Sequence, residues 1–201
     1  MARDDTYRRI RENLRRVEEQ IEQACAQARR SRDEVTLVAV TKTRSLEEVL
    51  AACACGIRHL GENRVEELET RRTELAQRLH GAPPIWHMIG HIQSRKAARA
   101  AAVSDMIHSV DSTRLAQRLE RAAAEQERVL PVLIEVNVSG EAAKYGFDAA
   151  SSAAEDELVQ ELGQMRNLAH LSVQGLMTMA PIVAHPELAR PVFTRLRQLS
   201  E

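Results

Sequence analysis

The chain has 201 residues, 44% of them hydrophobic and 28% charged, with a formal net charge of -1. That is enough apolar material for one good-sized core and excludes disorder as the main state. A near-neutral balance argues against a basic stripe for polyanions, and 2% aromatic residues leave few platforms for stacking single-stranded bases.

In chain order, residues 5–30 form the clearest helix. Ile10, Leu14, Val17, Ile21, Cys25 and Ala28 recur at three- and four-residue steps with Arg and Glu between them. Residues 36–41 (Thr-Leu-Val-Ala-Val-Thr) read as a buried strand, and Ser45-Leu46-Glu47-Glu48 supplies a capping box that opens a helix over 45–54. A second strand at 57–61 precedes a charged helix over 63–79. A third at 84–90 precedes an Arg/Ala helix over 94–102. The fourth, 106–110, is followed by a helix over 112–127 that Asp111 or Ser112 caps. The fifth, 130–138, is the most strongly β, and a helix over 152–168 follows. The sixth runs from 171 to 179, and an amphipathic helix over 186–199 ends the pattern.

Six strands alternating with helices predict parallel strands joined by right-handed crossovers. A doubly wound open sheet and a closed (β/α)8 barrel both satisfy this. No Gly-x-Gly-x-x-Gly turn follows the first strand, which favours the TIM-type barrel as a single domain over 1–201. The pattern stops two strands short of eight. No apolar run approaches the roughly 20 residues of a membrane span. Cys25, Cys53 and Cys55 form no Cys-x-x-Cys pair, so the expectation is a reduced, cytoplasmic protein without a membrane or nucleic-acid partner.

In either architecture the chemistry gathers at the C-terminal strand ends. Those ends read Thr41-Lys42-Thr43, Gly61-Glu62-Asn63, Gly90-His91-Ile92-Gln93-Ser94, His108-Ser109-Val110-Asp111, Asn137-Val138-Ser139-Gly140-Glu141 and Met177-Thr178-Met179-Ala180. Only three of the 28 basic residues are lysines: Lys42, Lys96 and Lys144. Lys42 follows an apolar strand, where partial desolvation of its ammonium would favour the free amine as a nucleophile towards carbonyls. The bland alternative is a lysine reaching from the strand end to water. Lys144 is a possible second amine, with a solvated loop lysine as its plainer reading, and Lys96 reads as surface. His87, His91 and His108 suit polar lining or hydrogen-bonded core positions better than a metal site. Glu62 and Asp111 are candidates for acid–base work, with capping or pocket-shaping as the preferred reading of Glu62.

Several blocks together resemble the pyridoxal phosphate homeostasis protein family. They are Val38-Ala39-Val40-Thr41-Lys42-Thr43, Gly61-Glu62-Asn63-Arg64-Val65-Glu66-Glu67, the run from Trp86 to Lys96, His108-Ser109-Val110-Asp111, the run from Val136 to Gly146, and Gly175-Leu176-Met177-Thr178-Met179-Ala180-Pro181. They stand in family order over nearly the whole chain. The resemblance implies a fold-type III barrel akin to the alanine racemase N-terminal domain. Its cofactor would be pyridoxal 5'-phosphate (PLP), held as a Schiff base by Lys42. Asn63 would lie beside the cofactor, Ile89, Gly90 and Ser94 would wall the pocket, and Asn137 and Met177 would complete the cofactor-binding set. It also implies a monomer that keeps PLP available, to PLP-dependent apoenzymes among others, without clear turnover. Family members continue with Met-Gly-Met-Ser-x-Asp and Val-Arg-Ile-Gly segments that supply most of the phosphate cup. This sequence stops at Glu201, where they would begin. The expectation is therefore a barrel lacking its last two strands, with a truncated cofactor-free form and a partner-completed sheet both left open. A racemase-like enzyme is the alternative function. It is disfavoured because only Tyr7 and Tyr145 are available as the second base.

Overall fold

The computed structural model describes residues 2–141 and 145–201. They divide into two compact units: the chain up to Glu62 with Glu66–His87, and Asn63–Val65 with Met88–Glu201. All strand pairs whose register is defined are parallel, as the alternation of strands and helices requires.

The first unit begins with α1 (Ala2–Ala28), whose arginines and glutamates form i,i+3 and i,i+4 pairs such as Arg15 with Glu12. A 3-10 turn follows, then β1 (Val38–Val40), shorter at both ends than the 36–41 expected. In α2 (Leu46–Ala54) the capping box is present: Glu48 N donates to Ser45 Oγ at 3.2 Å and Ser45 N to Glu48 Oε2 at 3.0 Å. β2 (His59–Glu62) pairs with β1 in the register Val38 to His59. α3 (Val65–Arg78) precedes β3 (Ile85–Met88), which neighbours β2. α1 packs on α2, and Val49, Cys53, Leu60, Leu68, Leu75 and Trp86 are buried.

The second unit opens its run of elements with a 3-10 turn at Ser94–Lys96, so that α4 (Ala97–Val103) starts later than the helix expected from 94. β4 (Met106–Val110) and α5 (Thr113–Glu125, capped by Ser112) lead to β5 (Leu130–Asn137), the longest strand among the described residues. α5 presents Leu115, Ala116, Leu119, Ala122 and Ala123 as one buried stripe. α6 (Ser152–Met165) packs on α5, and β7 (Leu171–Met177) lies against β5. The last helix is split: a 3-10 turn at Pro186–Ala189, then α7 (Arg190–Ser200).

The strand count corrects the sequence reading. The described residues form seven strands, because a two-residue strand, β6 (Phe147–Asp148), pairs with Val136 and Asn137 of β5. Two residues carry no period, so the segment read as loop. β7 also carries one extra residue relative to β5. Val173 faces Val132 and Gly175 faces Leu133, leaving Gln174 unpaired beside Gly175 at φ 151°. A second irregularity lies in β4 between Ile107 and Val110.

Candidate functional site

In the first unit, Lys42 stands at the apex of a tight turn closing β1. Arg44 N donates to Thr41 O at 3.0 Å, and Thr43 has φ 63°, as the third position of a type II turn demands. A β-branched residue in the left-handed region stores strain, which concentrates at functional positions. Thr41 holds the base of the turn: it is 3% exposed, its N donates to Gly61 O at 3.0 Å, and its Oγ1 donates to Glu62 Oε1 at 2.6 Å. Glu62 is fully buried, with Arg71 Nε 3.9 Å from Oε1. Lys42 itself is exposed. The partial desolvation expected from the strand pattern is therefore not there: β1 ends two residues earlier, and the turn lifts the side chain clear of it. On the neighbouring strands, His59 Nδ1 and His87 Nε2 are 2.9 Å apart, which gives His87 the hydrogen-bonded core role.

A cavity of this unit, about 740 Å³, is lined by Tyr7, Leu50, Cys53, Arg58 and Arg78 among others. It takes in Tyr7 and Cys53 but none of the residues expected to bind the cofactor. Arg58 precedes β2, so this cavity opens at the opposite end of that strand from its C-terminal Glu62.

In the second unit, Asn63 and Gly90 meet backbone to backbone. A Cβ on Gly90 would lie 2.3 Å from Asn63 O, so only glycine allows this approach. Ser109 Oγ donates to Gly90 O at 2.7 Å. Asn63 Oδ1 is buried with no hydrogen-bond partner among the described residues. Ile89 and Ser94 are half-buried, and Ser94 O accepts from Arg118 at 3.3 Å. Asn137 turns its amide onto its own loop: Oδ1 accepts from Ser139 N, Ser139 Oγ and Gly140 N, and Nδ2 donates to Glu141 O. This Asx arrangement shapes the loop. Met177 ends β7 opposite Glu135, and Thr178 Oγ1 donates to Val136 O at 2.7 Å. Lys144 lies outside the described residues.

The second unit also assembles a cluster that no motif announced. His91 Nδ1 is 2.7 Å from Asp111 Oδ2, and the His91 ring stacks on Tyr145 with centroids 3.9 Å apart. Glu135, 6% exposed in β5, has its carboxyl pushed up by burial and by the charge of Asp111, with His91 opposing. Sequence reasoning passed over Glu135. The available signal was a charged residue inside an otherwise apolar strand, two positions before Asn137 and hence on the same face. Burial pushes the His108 imidazole down. No group of three or more metal-ligating side chains is found among the described residues.

Parallel strands alternating with helices define the class of the protein as α/β. Residues 8–201 match the family model described as alanine racemase, N-terminal domain. The pyridoxal phosphate homeostasis protein of Aquifex aeolicus is 35% identical over 94% of this chain and 79% of its own length. A protein of Bifidobacterium adolescentis of known structure is 33% identical and superposes with a TM-score of 0.82 over 98% of this chain and 79% of that one. PipY of Synechococcus elongatus PCC7942, in a structure with PLP bound, is 31% identical, with a TM-score of 0.73 over 90% of this chain and 79% of PipY. The chain belongs to the pyridoxal phosphate homeostasis protein family, within the alanine racemase N-terminal domain class.

Proposed function

We propose that this protein binds PLP and serves intracellular PLP homeostasis, with the Lys42 amine capturing the cofactor reversibly as a Schiff base and without catalytic turnover. The observation that carries this reading is the PLP held by PipY, a relative matching 90% of this chain. When bound, PLP supplies an aldehyde that condenses with a primary amine.

The residues present fit the group. An exposed lysine at a strained turn is open to an aldehyde. The Asn63 Oδ1 that lacks a partner is an acceptor awaiting a donor, and a protonated pyridine or phenol of the cofactor is one. Gly90 keeps the backbone beside Asn63 bare, and Ile89, Ser94, Asn137 and Met177 complete the proposed lining. In this reading the chain acts as one PLP-binding domain, a cytoplasmic monomer that hands PLP on to apoenzymes. Three free cysteines, two of them buried, suit a reducing compartment.

The test is covalent capture. Protein incubated with PLP develops a visible absorbance band, borohydride removes the band, and peptide mass analysis finds the reduced adduct on Lys42. The Lys42→Ala variant loses both signals. A band that survives this substitution overturns the assignment of Lys42.

A further inference from the structure

The Lys42 turn, β2 and α3 all lie in the first unit. One arginine of α3, Arg71, reaches both ends of that turn. Its Nη2 donates to Arg44 O at 2.8 Å, and its Nε stands 3.9 Å from Glu62 Oε1, the oxygen that accepts from Thr41 Oγ1 at 2.6 Å. Its Nη1 is 3.8 Å from Glu74 Oε2, one turn further along α3. The Arg71 side chain is 16% exposed and that of Glu62 1%. A charge withdrawn that far from water needs an opposite charge and a hydrogen-bond donor beside it, and Arg71 and Thr41 supply one of each. Between the two anchored ends sit Lys42 and Thr43, the latter at φ 63°. A β-branched residue disfavours that region by about tenfold. The turn keeps its shape only where its surroundings over-determine it. The planar fork of a guanidinium suits this task, because its donors point in fixed directions towards two acceptors at once.

Resting on the reading of Lys42 as the residue that captures PLP, we infer that Arg71 is its positioning residue. By joining the Arg44 carbonyl to the Glu62–Thr41 pair, Arg71 keeps Thr43 left-handed and the Lys42 amine presented in one place to an incoming aldehyde. Arg71 itself forms no bond to the cofactor in this scheme. In the capture step the amine nitrogen bonds to the aldehyde carbon and the aldehyde oxygen leaves as water, with nothing oxidised or reduced. Arg71 acts before that step, by narrowing the set of conformations from which the amine must be gathered. Its loss spreads the turn over conformations in which Thr43 has negative φ. The affinity for PLP then falls by the fraction of molecules that leave the competent turn.

The test compares the wild-type chain with Arg71→Met, Thr43→Gly and the double variant. The first readout needs no cofactor. In the unloaded protein the Arg44 amide, which donates to Thr41 O at 3.0 Å, exchanges its hydrogen about tenfold faster in Arg71→Met, measured against the amide of Leu60 in β2. The second is the PLP concentration that half-fills the borohydride-fixable adduct on Lys42, which rises by the same factor. Adding Thr43→Gly to Arg71→Met brings that concentration back to within about threefold of the wild type, because glycine adopts positive φ without strain. An arginine that instead touched PLP directly would lower affinity with no change at Arg44 and no rescue by glycine. Unchanged Arg44 exchange, an unchanged half-saturation or a failed rescue each overturns the inference. If Arg71→Met does not fold, Arg71→Lys, which keeps the charge and loses the fork, is read in the same way. Wild-type protein that forms no adduct on Lys42 refutes the proposed function instead, and the Arg44 amide then decides the clamp alone.

Discussion

Gly90→Ala tests how tightly the second unit is built around its strand ends. The new methyl would lie 2.3 Å from Asn63 O, 2.7 Å from its Cα and 2.9 Å from its carbonyl carbon. Ordinary contact begins near 3.4 Å, so the carbonyl must retreat by the difference, 1.1 Å. All three obstacles are backbone, and no rotamer change relieves them. Gly90 O is also tied by Ser109 Oγ at 2.7 Å, which resists movement from the other side. The cost belongs at the upper end of the range for overpacking, about 3 kcal/mol. With a urea dependence of about 2 kcal/mol per molar, the unfolding midpoint falls by about 1.5 M. Urea titration followed by far-ultraviolet circular dichroism measures this. A midpoint within about 0.3 M of the wild type, about 0.6 kcal/mol on the same slope, would refute the claim that the Asn63–Gly90 approach is rigid.

Gly163→Ala should do the opposite, because nothing lies within 4 Å of the added Cβ and the residue is exposed inside α6. Stability rises by about 0.5–1 kcal/mol, read by the same titration. Thr43→Gly relieves the left-handed strain at φ 63° and stabilises by about 1 kcal/mol, unless Thr43 is held there at no cost, in which case the added chain entropy of glycine lowers the midpoint. Ser45→Ala removes the oxygen that accepts from Glu48 N and lowers stability by about 1 kcal/mol, visible as an earlier thermal midpoint. Glu135→Gln tests the raised carboxyl of Glu135. The native state there keeps its proton to higher pH than the unfolded chain, whose glutamates titrate near about 4.3. The stabilising contribution is complete below that pH and is lost as pH rises through the native value. Thermal melts from acid to neutral pH should therefore show the glutamine variant gaining on the wild type as pH increases, and a constant difference would contradict the burial argument.

What was legible in the sequence was what short-range periodicity writes down. The stripe from Ile10 to Ala28, the Ser45–Glu48 box and the β-branched run in β5 each depend on neighbours within a turn or a pleat, and each appears close to where the spacing put it. The misses have a common physical character. β6 is two residues held by pairing to a strand ten positions earlier, and the unpaired Gln174 exists only relative to β5. The 3-10 openings at Ser94 and Pro186 shorten helices whose apolar spacing runs on unchanged. For the site, the motif blocks named Lys42, Asn63 and Gly90, but not why they matter locally. The positive φ of Thr43 comes from the turn that ends β1, and the need for glycine at position 90 from the backbone of Asn63, 27 residues earlier. His91 and Asp111 are 20 residues apart, and only the strand order makes them partners. Glu135 was visible as a letter, but its burial required the neighbouring strands.

The unpaired residue in β7 acts as a parity switch. Strand side chains alternate, so one surplus residue exchanges the two faces for everything downstream. Because Gln174 is skipped, Met177 rather than Leu176 ends level with Glu135. Swapping Gln174 for another polar residue preserves that frame, whereas deleting it would slide Leu176 and Met177 one step and trade their outlooks. Relatives of this chain should therefore vary freely in which amino acid occupies that spot while keeping the number of residues between Leu171 and Met177 fixed.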